Sequence, residues 1–323
     1  MEIHMPLPDV IRAYYFTHMS ELPAEKQFHF ASRMSSWDQD PQALALLQTL
    51  RSMFVTDSIG DDLSLLINKP PVAKINAAER RAPYFQKYPQ LRGCMLALFR
   101  VRHLLFHYNI DARDDLLRSM SLEQLVSLSH DLKEDTEALK VLSTYAINYI
   151  FLVESILFPS PDTSLVPFLD DVVKLHDQYD DTPEDSLLMI YLFTHCIIGA
   201  SNFYQTSVSL EEYPVYRTML ERIESRIDTH YPAINLDNKF EFLVCCRITG
   251  FSSHLEQAIQ SEAEQSMSPE GSFLVDTINT AKQGNKTSFA DSEHRNVLYI
   301  MSQSTFRPKY SISTAKARLS SPQ

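Results

Sequence analysis

The chain of 323 residues contains only 6 glycines, and its formal net charge at pH 7 is −12. P-loop and Rossmann proteins need closely spaced glycines in their phosphate-binding loops, and this sequence has none spaced that way. The excess of acidic side chains argues against a general nucleic-acid binder and against a surface attracted to anionic lipids, since both need clustered Lys and Arg.

Cysteine usage and hydropathy favour a cytoplasmic protein without a membrane span. None of the four cysteines belongs to a C-x-x-C pair, so we expect reduced, buried thiols. The first residues show neither the basic nor the apolar region of a signal peptide. The most apolar stretches, residues 145–158 and 187–200, are shorter than the roughly 20 residues that a membrane helix needs. We predict that both are buried core helices.

Proline and capping patterns mark helix starts in the first half of the chain. Asp40-Pro41 is typical of such a start, because proline suits the first helical position. Ser121-Leu122-Glu123-Gln124 resembles a capped start. Apolar residues then recur at helical spacing. The predicted helices cover residues 9–19, 42–55, 91–108, 125–132 and 134–158, with a further helix that begins at Pro23.

In the second half, Thr182-Pro183-Glu184-Asp185 is a strong helix start: a capping residue precedes a proline and two acids of the first turn. We expect this helix to run to about residue 205. Residues 237–260 form the clearest amphipathic pattern. The remaining predicted helices cover residues 166–179, 210–230, 274–280 and 297–301.

These elements predict an all-α fold, either an array of helix pairs or an incomplete α/α barrel. We predict one helical domain over residues 1–302, and a subdivision near residues 56–76 or 159–165 stays open. Residues 303–323 contain four basic and no acidic side chains. We predict that they form a flexible basic tail, either a solvated end or a segment that docks on the acidic body.

The segment from Thr194 to Tyr204 carries the main candidate site, because it places polar residues late in a strongly apolar helix. His195 and Asn202 are two turns apart and share a helix face, and Asp185 lies close to that face. These residues and Tyr204 can line a concave catalytic site. The alternative is a core histidine that is hydrogen-bonded to a neighbouring helix. Glycine in a helix is costly, so we also expect close helix approaches at Gly199 and Gly250.

A second candidate is a metal site at His103 and His107, which are four residues apart on one helix. Asp111, Asp114 and Asp115 follow and can add oxygen ligands for a divalent metal. No further cofactor is predicted. The alternative is two histidines that share a helix face by chance.

Two further patterns point to weaker candidates. The acidic run of residues 170–185 can bind a divalent cation or a basic partner, or it can be a solvated connection between helices. Cys245 or Cys246 can act as a nucleophile if His195 or His254 is nearby, or the small residues can mark close helix contacts.

The residues Tyr191-Leu192-Phe193-Thr194-His195-Cys196-Ile197-Ile198, followed by Asn202-Phe203-Tyr204, resemble a signature in a family of uncharacterised bacterial all-helical proteins. The resemblance covers residues 180–260 and includes a later acid-to-Cys-Arg pattern in residues 237–250. That family often has Asp and Gly near the step where Asn202 and Tyr204 stand here. The resemblance implies that Thr194 and His195 are candidate functional residues. It also implies an association with peptide natural products.

Two functions remain open from the sequence. The first is a helical binding or accessory protein that presents a concave face to a peptide or protein partner, because no complete catalytic motif is visible. The alternative is an enzyme with its site around His195 at the mouth of a helical barrel, acting with or without a metal on a peptide or small natural product. The surroundings of His195 discriminate between them.

Overall fold

The computed structural model describes residues 5–69, 78–158, 165–275 and 288–309. Within these ranges the chain forms 16 α-helices and no strand, apart from an isolated antiparallel bridge between Met267 and Leu274. The predicted all-α fold is confirmed.

The helices are numbered here in chain order. They are α1 Leu7–Thr17, α2 Ala24–Trp37, α3 Pro41–Thr49, α4 Ile59–Ile67, α5 Ala78–Lys87, α6 Leu91–Tyr108, α7 Arg113–Ser119, α8 Leu122–Glu134, α9 Thr136–Leu142, α10 Thr144–Leu157, α11 Leu165–Lys174, α12 Pro183–Ala200, α13 Pro214–Thr229, α14 Leu236–Thr249, α15 Glu256–Gln265 and α16 Glu293–Gln303.

Three predicted helix starts are confirmed by their caps. The Asp40 carboxylate accepts hydrogen bonds from two backbone N–H groups of the first turn of α3. Ser121 and Gln124 form a reciprocal capping box at α8. The Thr182 hydroxyl accepts from the backbone N–H of Asp185 at 3.2 Å. Each cap satisfies donors that the helix itself leaves without a partner.

Three predicted helices are shorter than the sequence indicated, because left-handed residues interrupt them. Ser143, with φ +40°, divides residues 134–158 into α9 and α10, which are bent by 106°. Gly250, with φ +73°, ends α14 and divides residues 237–260. α12 stops at Ala200, before three left-handed residues. Of the predicted helix 274–280, Leu274 lies in the β-bridge and residues 276–280 fall outside the described ranges.

Six helices pack against one another in a ring around the core. α6 packs on α10, α10 on α12, α12 on α14, α14 on α16, and α16 on α2. The ring closes where Phe28 of α2 meets His103 of α6 with ring centroids 4.9 Å apart. Other helices pack outside, including α3 on α2, α4 on α6 and α13 on α12. The buried side chains form one core cluster. Polar side chains from several ring helices can therefore meet inside it.

The two glycine predictions have opposite outcomes. A Cβ on Gly199 would overlap the ring of Phe151, so α12 and α10 do approach closely at this point. The same prediction is wrong for Gly250, because nothing lies within 4 Å of the place where its Cβ would be. Gly250 is the left-handed C-cap of α14. Glycine suits this position because it adopts a positive φ without strain, not because another helix packs closely there.

The two apolar stretches lie in α10 and α12, and most of their side chains are buried, as predicted. Among the described residues no single helix is long and apolar enough to cross a membrane. Only the bent pair α9 and α10, taken together, reaches the required length and hydropathy.

The start of the predicted tail packs against α2. The ring of Phe306 lies 4.5 Å from that of Trp37, and the backbone N–H of Arg307 donates to the Trp37 carbonyl at 2.8 Å. Residues 310–323 fall outside the described ranges, as do residues 70–77 and 159–164 at the two suggested domain subdivisions.

Candidate active site

Two histidines from opposite ends of the chain meet where α16 packs on α2. The rings of His29 and His294 lie 5.5 Å apart between centroids. Their side chains are 29% and 43% exposed, respectively. We call these two residues the histidine pair. Both imidazoles are within reach of a small molecule, in contrast to the fully buried core around them.

A carboxylate fixes the orientation of each ring. His29 Nδ1 donates to Glu293 Oε1 at 2.7 Å, and His294 Nδ1 donates to Asp237 Oδ1 at 2.9 Å. Because an ionised carboxylate only accepts hydrogen bonds, the proton lies on Nδ1. Within the described residues Nε2 of neither ring has a partner. A histidine oriented in this way presents Nε2 for acid–base chemistry or metal ligation.

The two carboxylates lie in the first turns of α16 and α14, where the helix dipole favours negative charge. Arg295 also donates from Nε and Nη2 to Asp237 Oδ2, at 3.1 and 2.9 Å. Burial opposes ionisation of Asp237, but His294 and Arg295 lower its pKa to about 2. Burial likewise opposes ionisation of Glu293, and His29 lowers the pKa below its ordinary value. Both groups are therefore ionised at neutral pH.

His29 is neutral at pH 7. Burial, and then the charge of Arg33 one turn further along α2, lower the pKa of His29 to about 4. The side chain nevertheless keeps part of its surface exposed. Its free Nε2 is a proton acceptor at physiological pH.

Arg33 lies one helical turn from His29 on α2 and packs on Tyr204. The Arg33 guanidinium lies 5.8 Å from the centre of the Tyr204 ring. It forms no ion pair with a carboxylate in the described part of the chain, and its buried Nε has no hydrogen-bond partner there. Burial raises the pKa of Tyr204, so its hydroxyl stays protonated.

His195 lies between two helices that neighbour α12. Its Nδ1 is 2.9 Å from Asn148 Oδ1 on α10, and its Nε2 is 3.1 Å from Glu241 Oε1 on α14. The Thr194 hydroxyl donates to the other oxygen of Glu241 at 3.1 Å. Burial opposes ionisation of Glu241, but the charge and hydrogen bond of His195 lower its pKa. Both ring nitrogens of His195 are engaged, which matches the core-histidine alternative.

Asn202 and Tyr204 belong to a left-handed turn that follows α12. Asn202, Phe203 and Tyr204 have φ of 49°, 51° and 71°. The buried Arg102 of α6 stabilises this turn, since its Nη2 donates to the carbonyls of Asn202 and Phe203 at 2.5 and 3.1 Å. Three successive left-handed residues without glycine are costly and persist only where surrounding contacts impose them.

The structure does not bring Asp185 to His195. The Asp185 carboxylate accepts hydrogen bonds from Arg80 at 2.6 Å and from the backbone N–H of Asp180 at 2.9 Å. The ten residues between Asp185 and His195 correspond to about 15 Å along α12. Their spacing places both residues on one helix face, but they are too far apart along the helix axis to contact each other.

His103 and His107 stack on each other with ring centroids 5.6 Å apart. Phe28 packs edge-on against both rings, and burial lowers the pKa of His107 to about 3. Asp111 pairs with Arg113 instead, and Asp115 with Arg118. Nowhere in the described ranges do three or more His, Cys, Asp or Glu side chains converge to hold a metal ion.

The two weaker candidates also have other partners. In the acidic run, Asp171 pairs with Lys174, and Asp181 with Arg226. The thiols of Cys245 and Cys246 are buried, and burial raises their pKa values. His254 pairs with Glu224. A buried neutral thiol is a poor nucleophile.

Sequence reasoning missed the histidine pair and its two carboxylates. The available signals were His29 and Arg33, four residues apart on one helix face, and the charged triplet Glu293-His294-Arg295 at a helix start. Neither signal is specific, because His29 and Glu293 are 264 residues apart in the chain.

Comparison with known proteins gives no match to a family model, a curated protein or a solved structure. The resemblance of residues 180–260 to a bacterial helical family therefore stays a prediction. Any functional conclusion depends on the geometry of the site.

Proposed function

We propose that the protein is an enzyme and that the histidine pair is its active site, working by general acid–base catalysis. One observation carries this proposal: two reachable imidazoles lie 5.5 Å apart, and a buried carboxylate orients each of them through Nδ1. Paired histidines with free Nε2 atoms can remove a proton from one reacting group and supply a proton to another.

The two histidines have different roles in this proposal. Neutral His29 accepts a proton at Nε2 from water or a substrate hydroxyl, and Glu293 stabilises the imidazolium that forms. His294 takes part as the imidazolium, with one proton on Nδ1 toward Asp237 and a second on Nε2, and it donates the Nε2 proton to the leaving group. The two transfers leave one proton on His29 and remove one from His294. The reaction class is hydrolysis or group transfer at a polar bond.

A helical binding protein for a peptide or protein partner remains the competing hypothesis. Its support is negative, since it depends on the missing catalytic motif, and a binding surface has no need of two histidines held by carboxylates. It predicts that the wild-type protein has no catalytic activity, so that substitutions at His29 and His294 have no rate to lower. The proposed site also lies beside His195 rather than on it, because Glu241 occupies His195 Nε2.

A chromogenic panel tests the proposal. Purified protein is incubated with 4-nitrophenyl phosphate, bis(4-nitrophenyl) phosphate and 4-nitrophenyl acetate, together with the His29→Gln and His294→Gln variants. We expect each variant to lose roughly 10²- to 10⁴-fold of the rate, the usual contribution of a general acid or base. His254→Gln is the control, because that side chain is 63% exposed and pairs with Glu224 rather than with either carboxylate of the histidine pair. Equal rates in all four proteins contradict the proposal.

Histidine modification gives a test that needs no substrate. Diethyl pyrocarbonate reacts with neutral, reachable imidazole nitrogen, and peptide mass mapping gives the rate at each histidine. We expect His29 to react faster than His195, whose nitrogens are both engaged. Faster reaction at His195 contradicts the assigned geometry.

A further inference from the structure

The residues that follow α16 pack on the end of α2 through Trp37. The indole Nε1 of Trp37 donates to Ser304 Oγ at 3.0 Å. The Phe306 ring lies 4.5 Å from the indole between centroids, and the backbone N–H of Arg307 donates to the Trp37 carbonyl at 2.8 Å. That carbonyl belongs to the last turn of α2, for which the helix itself supplies no donor. We call Ser304, Phe306 and Arg307 the C-terminal latch.

The latch and the histidine pair are two contacts between the same two helices. Trp37 lies eight residues after His29, which is about 12 Å along α2. Ser304 is the C-cap of α16 and lies ten residues after His294, which is about 15 Å along that helix. The two helices therefore run in the same direction from one contact to the other. Two contacts this far apart limit how far α2 can slide or tilt against α16, and so they fix the distance between the two imidazoles.

A separate set of contacts holds the end of α2 inside the fold. The Tyr204 ring lies edge-on to Trp37 with centroids 6.3 Å apart, and Gln205 Nε2 donates to Ser36 Oγ at 2.8 Å. These partners come from the segment after α12 and do not involve the residues after α16. They remain in place when the latch is released, so its release does not require α2 to unfold.

The latch is the part of this contact that can open. Thr305, Arg307 and Lys309 are exposed, and residues 304–309 belong to no helix or strand. Segments of this kind, with few buried apolar contacts, open at a lower free energy than the core does. Opening uncovers the indole of Trp37, which is 0% exposed when the latch is closed.

We propose that the C-terminal latch regulates the histidine pair. Closed on Trp37, it holds α2 in register with α16, and open, it lets the two imidazoles separate. Capture or cleavage of the chain at the exposed residues of this segment opens the latch and lowers the activity of the pair. The regulation rests on the proposed function, whereas the coupling of the latch to the pair does not depend on catalysis.

The fluorescence of Trp37, the only tryptophan, reports the state of the latch. Acrylamide quenching is measured in the full chain and in two variants, Phe306→Ala, which removes the ring, and Arg307→Pro, which removes the backbone donor. We expect the quenching constant to rise at least about twofold in both, because a buried side chain becomes accessible. The controls are Thr305→Ala, at an exposed side chain, and Arg307→Ala, which keeps the backbone N–H.

A second measurement follows the histidine pair without a substrate. Nitrogen NMR of protein with isotope-labelled histidine distinguishes the two tautomers of neutral His29 at pH 7. We expect the Nδ1–H form in the wild type, because Glu293 accepts from Nδ1. Phe306→Ala should lose this signature in favour of the Nε2–H form, which dominates in free histidine. Phe306→Leu keeps an apolar cover on Trp37 and should restore the wild-type signature.

The outcomes separate this inference from the proposed function. Higher quenching together with the loss of the His29 signature supports the latch, whether or not the panel shows turnover. Unchanged quenching, or higher quenching with an unchanged His29 signature, overturns it. Loss of helical circular dichroism in both Phe306→Ala and Arg307→Pro also overturns it, because the latch then cannot open without unfolding the protein. If ester turnover depends on His29 and keeps its wild-type rate in Phe306→Ala, only the latch fails.

Discussion

At the scale of single residues, the environment rather than the residue type decides what each histidine does. His29 and His195 both contact a glutamate, at 2.7 and 3.1 Å. His29 uses one nitrogen, and its other nitrogen has no partner in the part of the chain that the structure describes. His195 uses both nitrogens, which bond to side chains of two neighbouring helices. The sequence predicts a candidate site at His195, because this polar residue lies in an apolar helix. It could not show that Asn148 and Glu241 would occupy both of its nitrogens.

The pH dependence of stability follows from the pKa of His29. Its ordinary value is about 6.5 in the unfolded chain, and the folded value is about 4. The unfolded state therefore binds more protons between these pH values, so stability is fully present above about pH 6.5 and falls toward pH 4. This group contributes up to about 3 kcal/mol. Urea unfolding across this window should show a smaller pH dependence in His29→Gln than in the wild type. Identical dependence in both proteins would contradict the neutral state of His29.

His195→Ala is expected to destabilise the fold. The substitution leaves the Glu241 carboxylate and the Asn148 amide buried without their partner, which costs about 2–4 kcal/mol. His254→Ala is the matched control and should stay within roughly 0.5 kcal/mol of the wild type, because its ring is exposed. Urea denaturation measures both. A fully stable His195→Ala would show that the link between α10, α12 and α14 is unimportant.

At the scale of helices, local signals predicted starts better than ends. Caps at Asp40, Ser121 and Thr182 lie within a few residues of the helices they begin, so the sequence shows them directly. The sequence does not predict the interruption at Ser143, because serine has no preference for a left-handed backbone. Arg81 contacts this bend from α5 by donating to the Val141 carbonyl at 3.0 Å. The conformation depends on a tertiary contact.

The crossing of α10 and α12 depends on the absence of a side chain at Gly199. Gly199→Ala should destabilise the protein by about 1–3 kcal/mol, the usual cost of overpacking, since its methyl group would overlap the Phe151 ring. Gly60→Ala is the control. Its Cβ would meet Asp115 Oδ1 at an ordinary 3.5 Å, and alanine favours helix by about 1 kcal/mol over glycine. Equal stabilities of the two variants in urea would contradict the close crossing.

At the scale of the whole molecule, the candidate site exists only because α2 packs on α16. α2 lies near the start of the chain and α16 near its end, and their packing brings His29 to Glu293 and His294. Composition and periodicity predict the helices but not which of them become neighbours. For that reason the sequence predicts the all-α fold and a candidate site in the segment around His195. It does not predict the histidine pair next to that segment.

The most direct test of paired catalysis is a double-mutant comparison on whichever panel substrate the wild type turns over. If His29 and His294 act as a unit across the α2–α16 contact, their effects are not additive. We predict that His29→Gln/His294→Gln has a kcat/KM close to that of the slower single variant. Losses that multiply would show that the two histidines act independently, and kcat/KM unchanged in all three variants would place the active site elsewhere.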